Sequence, residues 1–468
     1  MSTSRFAPGP AGHALLGCFS EFRDRPLELL LRCRREYGSV VRLPLGLGLS
    51  VGLVYHPEHL QTVFHDARFG RSDLAALFEP LAGGSMIIAD GEPWKRQRKA
   101  VAPSFGQEML RRLAPEVEKE AEALAERWRS AARQGQEVDL QSEMVSYAMS
   151  TLTLFLLGRP LTAREVGIVA PAWTRSLICM NTRLSQPVPI PMWMPTRTNR
   201  ELRQSAHAIA EVLLACIREH RALPHAQGGA SFLAGLARHR DEETGEGLSD
   251  EQILREIMGV FLAGFDTVAS AMMWTLYDLT RHPDWQQAVR EEVDAPGDNA
   301  RTDLQDCPVL DRVFNESIRL MPPLWLVDRK CSEPVELGRF TLPAHTNVIT
   351  SPYVTHRDPE LWSDPERFDP DRFLPSAQAG RPRYAHFPFG GGRMKCIGIG
   401  LALLELKALL RAVLPVLRLE PGSTVQPELE PAFVLRTRNS LWVRARAAAG
   451  RPRSGAPRPA ADAALLPE

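Results

Sequence analysis

Neither charge is in excess. Fifty-six Lys and Arg balance 56 Asp and Glu, which argues against a nucleic-acid coat or a polybasic membrane binder. Cysteine is sparse: seven residues, at positions 18, 33, 179, 216, 307, 331 and 396, with no CxxC pair. The odd count and the scatter argue against a disulfide framework or a cysteine-rich zinc site and favour a reducing compartment. Long apolar runs are also missing, since the longest are broken by Gly, Asp or Arg. Met1 to Ser20 offers only Ala14-Leu15-Leu16-Gly17-Cys18-Phe19, with neither a signal peptide's basic region and cleavage site nor ~20 apolar residues to span a bilayer. A cytoplasmic protein with no nucleic-acid or membrane partner is the expectation. What is present is ordinary for a folded chain with a large core: 468 residues, 44% hydrophobic and 24% charged.

Helical periodicity dominates. Patterns of period 3.6 run over Pro26–Tyr37, Met109–Arg133, Leu140–Leu157, Glu201–Arg221, Asp250–Arg281, Leu310–Leu320 and about Ile397–Leu417. Ser39–Val54 alternates like a hairpin around Gly46 and Gly48. A nucleotide-binding reading of those glycines fails, because the spacing is wrong and no helix opens at Gly52. Short β-like runs occupy Val335–Pro352, and Arg357–Pro388 is turn-rich. The Pro-rich stretch Pro187–Pro195 reads as a loop, with apolar cover from Pro171 to Pro195. Residues 447–468 are Pro/Ala/Arg-rich and read as a disordered tail behind a single domain of residues 1–446.

Three constellations carry chemistry. Phe389-Gly-Gly-Gly-Arg-Met-Lys-Cys396-Ile-Gly398 runs into a helix, whose positive end and free N–H groups would stabilise a thiolate. Such a thiolate suits haem iron, with the glycines leaving room for a flat group; a buried structural cysteine is the alternative. Glu316 and Arg319, at i and i+3, share one helical face, and Arg367 of Pro365-Glu-Arg367-Phe368 is expected to supply a second arginine to Glu316. Ala263-Gly264-Phe265-Asp266-Thr267 places a glycine inside a helix, at a cost of about 0.5–1 kcal/mol. Close approach of a ring, with Asp266 and Thr267 holding a water, is one reason; a polar patch with Thr267 bonding back one turn is the other.

In this order the motifs resemble the cytochrome P-450 family of haem-thiolate monooxygenases. AGFDT is similar to its oxygen-activation motif, ESIR to ExxR, PERF to the meander motif and FGGGRMKCIG to the cysteine loop, with Ala402 and Glu405 at matching spacing beyond. Trp94-Lys-Arg-Gln-Arg98 resembles the WxxxR helix that binds a haem propionate, and Arg329 stands where a further propionate arginine is found. One departure matters: Met394 occupies the place of a propionate-binding Arg or His, and its thioether cannot hydrogen-bond a carboxylate. Either Arg393 reaches round, or Trp94, Arg98, Arg329 and His356 hold that propionate. A smaller departure is Val268, where many members carry a second threonine.

The resemblance implies a mainly α fold with a small β-rich region, one haem b, and Cys396 as iron ligand. Ala263, Gly264, Phe389, Gly390, Arg393, Gly398 and Ala402 would line the haem. One atom of O2 would enter a lipophilic substrate (terpenoid, fatty acid or steroid), with Thr267 and Asp266 relaying protons. A peroxygenase or isomerase, or a non-catalytic haem-thiolate sensor, is the alternative, and the intact acid–alcohol pair argues against each. Electrons would come from a separate ferredoxin and ferredoxin reductase, docked on Lys395, Arg393, Lys99 and Arg96 of a monomer. By the same resemblance the substrate space is lined near Ser85–Ile88, Ser176–Met180, Phe261–Ala263, Leu324–Val327 and Phe433–Val434, with no charged anchor.

Overall fold

The central helix, Asp250–Arg281, organises the molecule. Ser249 and Gln252 close a reciprocal capping box at its start (2.8 and 3.2 Å). Phe261, Phe265, Met272, Trp274 and Leu276 then bury into one large core shared with Leu152, Phe155 and Trp173. In this computed structural model, residues 7–186, 188, 190–223, 229–294, 307–424 and 426–448 are described. Nearly all of the predicted tail, from residue 449 on, lies outside them.

Most predicted helices form close to their expected bounds: Pro26–Tyr37, Gln107–Arg133, Leu140–Leu157, Arg197–Ala222, Pro308–Leu320 and Ile399–Val413. One of the helices that the periodicity did not mark is instructive. Ala163–Leu184 is a helix with Pro171 inside it, so the predicted cover from Pro171 is helical for its first half. Thr162 and Glu165 form a capping box at its start, a T-x-x-E signal that outweighed the proline. The loop that follows is tied to both flanking helices: Arg183 donates to Ile190 O (3.1 Å), and Asn199 donates to Pro191 O and Met194 O (both 2.9 Å).

The β-rich region is small. Val40–Gly46 and Leu49–Val54 form the expected hairpin, with Gly46 and Gly48 at positive φ in its turn. Asn347–Thr350 joins it in parallel, and Val327–Cys331 and Phe69–Gly70 complete a five-stranded sheet. Its edge register pairs Phe69 with Cys331 and Gly70 with Lys330, which carries Arg71 alongside Arg329. Among the described residues the central helix alone is long and apolar enough to cross a membrane; 78% of that window is buried within the fold.

Candidate active site

Cys396 stands two residues before Gly398, the N-cap of helix Ile399–Val413. The other six cysteines are buried, whereas Cys396 is solvent-accessible. Burial by surrounding protein pushes its thiol up, while the Gly398 N–H, Arg98 and Lys395 draw it down. The loop is anchored by Cys396 N–H to Phe389 O (3.0 Å) and by Arg98 Nη2 to Lys395 O (3.2 Å).

Its glycines serve the protein's own packing. A Cβ on Gly392 would lie 1.8 Å from Phe64 O, and one on Gly391 2.5 Å from Tyr384, so the loop presses on helix Pro57–His65. Gly390 supplies a positive φ of 69°. Gly264 likewise has Leu152 against it, 2.9 Å from where a Cβ would be. Neither observation needs the flat group for which the glycines were first read.

Four arginines converge beyond Trp94. Arg329 is buried, and burial together with Arg71 pushes its guanidinium down to about 10. Arg71 has Asp328, Asp90, Arg393 and Arg98 within electrostatic reach. Arg393 donates to Phe69 O (2.9 Å), lies 3.4 Å from Asp90 Oδ1 and sits 5.8 Å from the Trp94 ring centre, so it does reach round into this cluster. Among the described residues, two carboxylates, Asp90 and Asp328, stand against Arg71, Arg98, Arg329 and Arg393, an excess of two positive charges. Like charges held together in a poorly solvated place need anions. The two propionates of haem b supply two. The residues fit that group, and the accessible thiol of Cys396 is a donor of the kind that haem iron takes.

His356 does not join the cradle, contrary to expectation. It is fully buried; its Nδ1 lies 3.2 Å from Arg319 O, and its Nε2 accepts the Phe387 N–H at 3.0 Å. Both ring nitrogens are spent, and burial holds the ring neutral, well below its ordinary value. Arg367 is also corrected. Its side chain is exposed and pairs with Asp369, while the second arginine at Glu316 is the buried Arg372, 3.4 Å from Oε1. Two similar tetrapeptides, Pro365-Glu-Arg-Phe368 and Pro370-Asp-Arg-Phe373, stand five residues apart, and the second is the one turned inward. The Glu316–Arg319 pair forms as read, with contacts of 2.6 and 2.9 Å and neither side chain exposed. Arg319 also donates to the carbonyls of His356, Pro365 and Arg367.

On the central helix, Thr267 Oγ1 donates back to Ala263 O at 2.8 Å, so the back-bonded alternative holds for its proton. The oxygen's lone pairs remain to accept. Asp266 is buried, and burial raises its carboxyl; Arg436 counters this and Glu430 adds to it. Those two residues pair with each other at 2.9 Å on the hairpin Leu429–Pro431/Leu435–Thr437. Ser270 and Trp274, on the Asp266 side of the helix, hold that hairpin by donating to Leu435 O (2.6 and 3.4 Å). Arg71, Arg436 and Glu430 were missed because no local pattern marks them; Arg372 was missed although its tetrapeptide repeats the pattern read at Arg367.

The sequence matches the model of the cytochrome P-450 family over residues 7–443. The chain belongs to the cytochrome P-450 family. It is 32% identical to a cyclooctatin synthase of Streptomyces melanosporofaciens, over 90% of this chain and 91% of that one. It is 30% identical to a cyclooctat-9-en-7-ol 5-monooxygenase of the same organism (90% and 91%) and 28% identical to a pentalenene oxygenase of Streptomyces avermitilis (91% and 95%). A cytochrome P-450 haem domain superposes with a TM-score of 0.85 at 23% identity, covering 95% of this chain and 98% of that one, which speaks to the fold alone. The protein is a cytochrome P-450 monooxygenase that acts on lipophilic substrates, and its cofactor is haem b.

Proposed function

We propose that Cys396 is the thiolate ligand of the haem, and that Asp266 and Thr267 deliver protons during hydroxylation or epoxidation of a lipophilic cyclic substrate. The accessibility of Cys396, alone among seven cysteines and beside a cradle with two surplus positive charges, carries the reading. Haem bound there supplies O2 binding and the oxidation that puts one oxygen atom into the substrate and the other into water.

The protein's residues do the rest. Arg71, Arg98, Arg329 and Arg393 would hold the propionates and orient the ring. Ala263, with Ile87, Ile88 and Ala89 of the Gly83–Ala89 segment, is partly exposed and would give the substrate space an apolar lining without a charged anchor. Thr267 Oγ1, its proton committed to Ala263 O, can accept from a water on the distal side. Asp266, whose carboxyl burial raises, stands next to it in the chain as the acid that would supply the proton.

Terpenoids are the favoured class within the lipophiles. Relatives named for an alkene (pentalenene) and for an unsaturated alcohol (cyclooctat-9-en-7-ol) support it, as does the uncharged lining. Electrons are proposed to come from a ferredoxin and its reductase, docking where Arg96 and Lys395 are exposed; Lys99 is already engaged with Glu242. The protein is proposed to act as a cytoplasmic monomer.

The test is the reduced carbon-monoxide spectrum. The parent and single replacements of the other six cysteines keep the long-wavelength Soret band, and Cys396→Ser loses it. A band retained in Cys396→Ser overturns the ligand assignment. Spin-state titration of the ferric protein with cyclic terpenes, fatty acids and steroids then ranks the substrate classes.

A further inference from the structure

The segment Gly83–Ala89 packs against the central helix one turn before Ala263, and the Met86 peptide is held from two sides. Its N–H donates to the Glu256 carboxylate, 3.2 and 3.1 Å from the two oxygens, while its C=O accepts from Arg71 Nη2 at 3.3 Å. Glu256 is 4% exposed and has no ion-pair partner among the described residues. Burial pushes its carboxyl up to about 7. An acid placed there at such cost needs a reason. Gly259, one turn on, gives a second and independent sign. A Cβ there would lie 2.5 Å from Ser85 Oγ and 3.3 Å from Ile87 Cγ1, so the segment lies directly on the helix backbone. Glu256, Gly259 and Ala263 follow at i, i+3 and i+7 on one helical face.

We propose that Glu256 is a positioning residue which, together with Gly259, locks Gly83–Ala89 against the central helix and so sets the size of ligand the distal space admits. The proposal rests on the reading that the Ala263 face of the helix borders that space. Glu256 acts through the Met86 backbone, not on the reacting atoms. Either protonation state leaves an oxygen to accept the Met86 N–H, so Glu256→Gln keeps the lock and Glu256→Leu removes it. Gly259→Ala breaks the same lock sterically, with the carboxyl intact.

Two measurements test it: hydrogen exchange at the Met86 amide, and Soret-shift titrations of the haem-loaded protein with imidazole and 4-phenylimidazole. In Glu256→Leu the Met86 amide exchanges about five- to tenfold faster than in the parent, as for one lost hydrogen bond. The ratio of the two ligands' Kd shifts severalfold, while the Kd of imidazole itself is unchanged. Glu256→Gln behaves as the parent, and Gly259→Ala shifts the ratio in the same direction as Glu256→Leu. Unchanged Met86 exchange in Glu256→Leu, or a Gln variant as impaired as the Leu variant, overturns the lock. Fast exchange with an unshifted ratio overturns its role in ligand size. If Glu256→Leu does not fold, Gly259→Ala and Glu256→Gln decide by the same two readouts. A parent that gives no Soret shift with imidazole overturns instead the haem-site reading beneath the proposal.

Discussion

The register of the sheet edge brings Arg71 alongside Arg329, with only Asp90 and Asp328 among the described carboxylates in reach of both. Cross-strand like charges destabilise a protein unless an anion lies between them. Arg71→Gln therefore speeds haem transfer to an acceptor apoprotein about ten- to hundredfold, for a lost charged hydrogen bond of about 1.5–3 kcal/mol. The same substitution raises the melting temperature of the haem-free protein, since it relieves repulsion there. Opposite signs in the two measurements distinguish a propionate cradle from ordinary packing. Because Arg393 already stands beside Trp94 and Asp90, Met394→Arg brings no gain in haem retention. Thr267→Ala retains haem and substrate but diverts electrons to hydrogen peroxide. Asp266→Asn slows oxygen-driven turnover more than peroxide-driven turnover. Both outcomes are read from product formed per electron consumed.

Between elements, the turn-rich section is fastened to helix Pro308–Leu320 through a buried carboxylate with two guanidinium neighbours. Glu316 accepts two bonds from Arg319 and one from Asp369 N–H (2.8 Å), with Arg372 alongside. Burial raises this carboxyl, and Arg319 holds it back. Arg319→Ala removes both close bonds and leaves the buried Glu316 only Arg372 at 3.4 Å, at a cost of about 3–5 kcal/mol. Arg372→Ala costs less, because both oxygens of Glu316 keep Arg319. Arg367→Ala leaves the denaturation midpoint unchanged. Urea midpoints of the three variants rank them in that order, and a large loss in Arg367→Ala would restore the first tetrapeptide as the inward one.

Across the whole molecule, stability should fall as the solution turns alkaline. Glu405, 2% exposed on helix Ile399–Val413 where it meets the helix that carries Tyr147, is pushed by burial from about 4.5 up to about 8. A hydrogen bond with Thr151 counters the rise, and burial outweighs it. In that window the unfolded chain has lost a proton that the folded one keeps. The contribution is full below about pH 4.5 and lost as pH rises to about 8, at up to ~1.4 kcal/mol per pH unit. Asp278, raised to about 7 by burial, acts in the same direction. Glu405→Gln flattens the dependence, read as urea midpoints across that range; an unchanged slope would place the titration elsewhere.

The long helices, the hairpin at Gly46 and Gly48, the Glu316–Arg319 pair and the cysteine loop were legible in the sequence. Each depends on residues within one element, where periodicity, capping and spacing act directly on neighbouring atoms. The helix Ala163–Leu184 went unmarked, although its T-x-x-E cap was also local. What only the tertiary structure decided concerns partners from distant segments. Arg71 reaches Arg329 through strand register, Arg372 displaces Arg367 by facing inward, and His356 spends its ring on Arg319 and Phe387. Met86 meets Glu256 across 170 residues. A buried charge chooses its partner by burial and distance, and a chain read one residue after another contains neither.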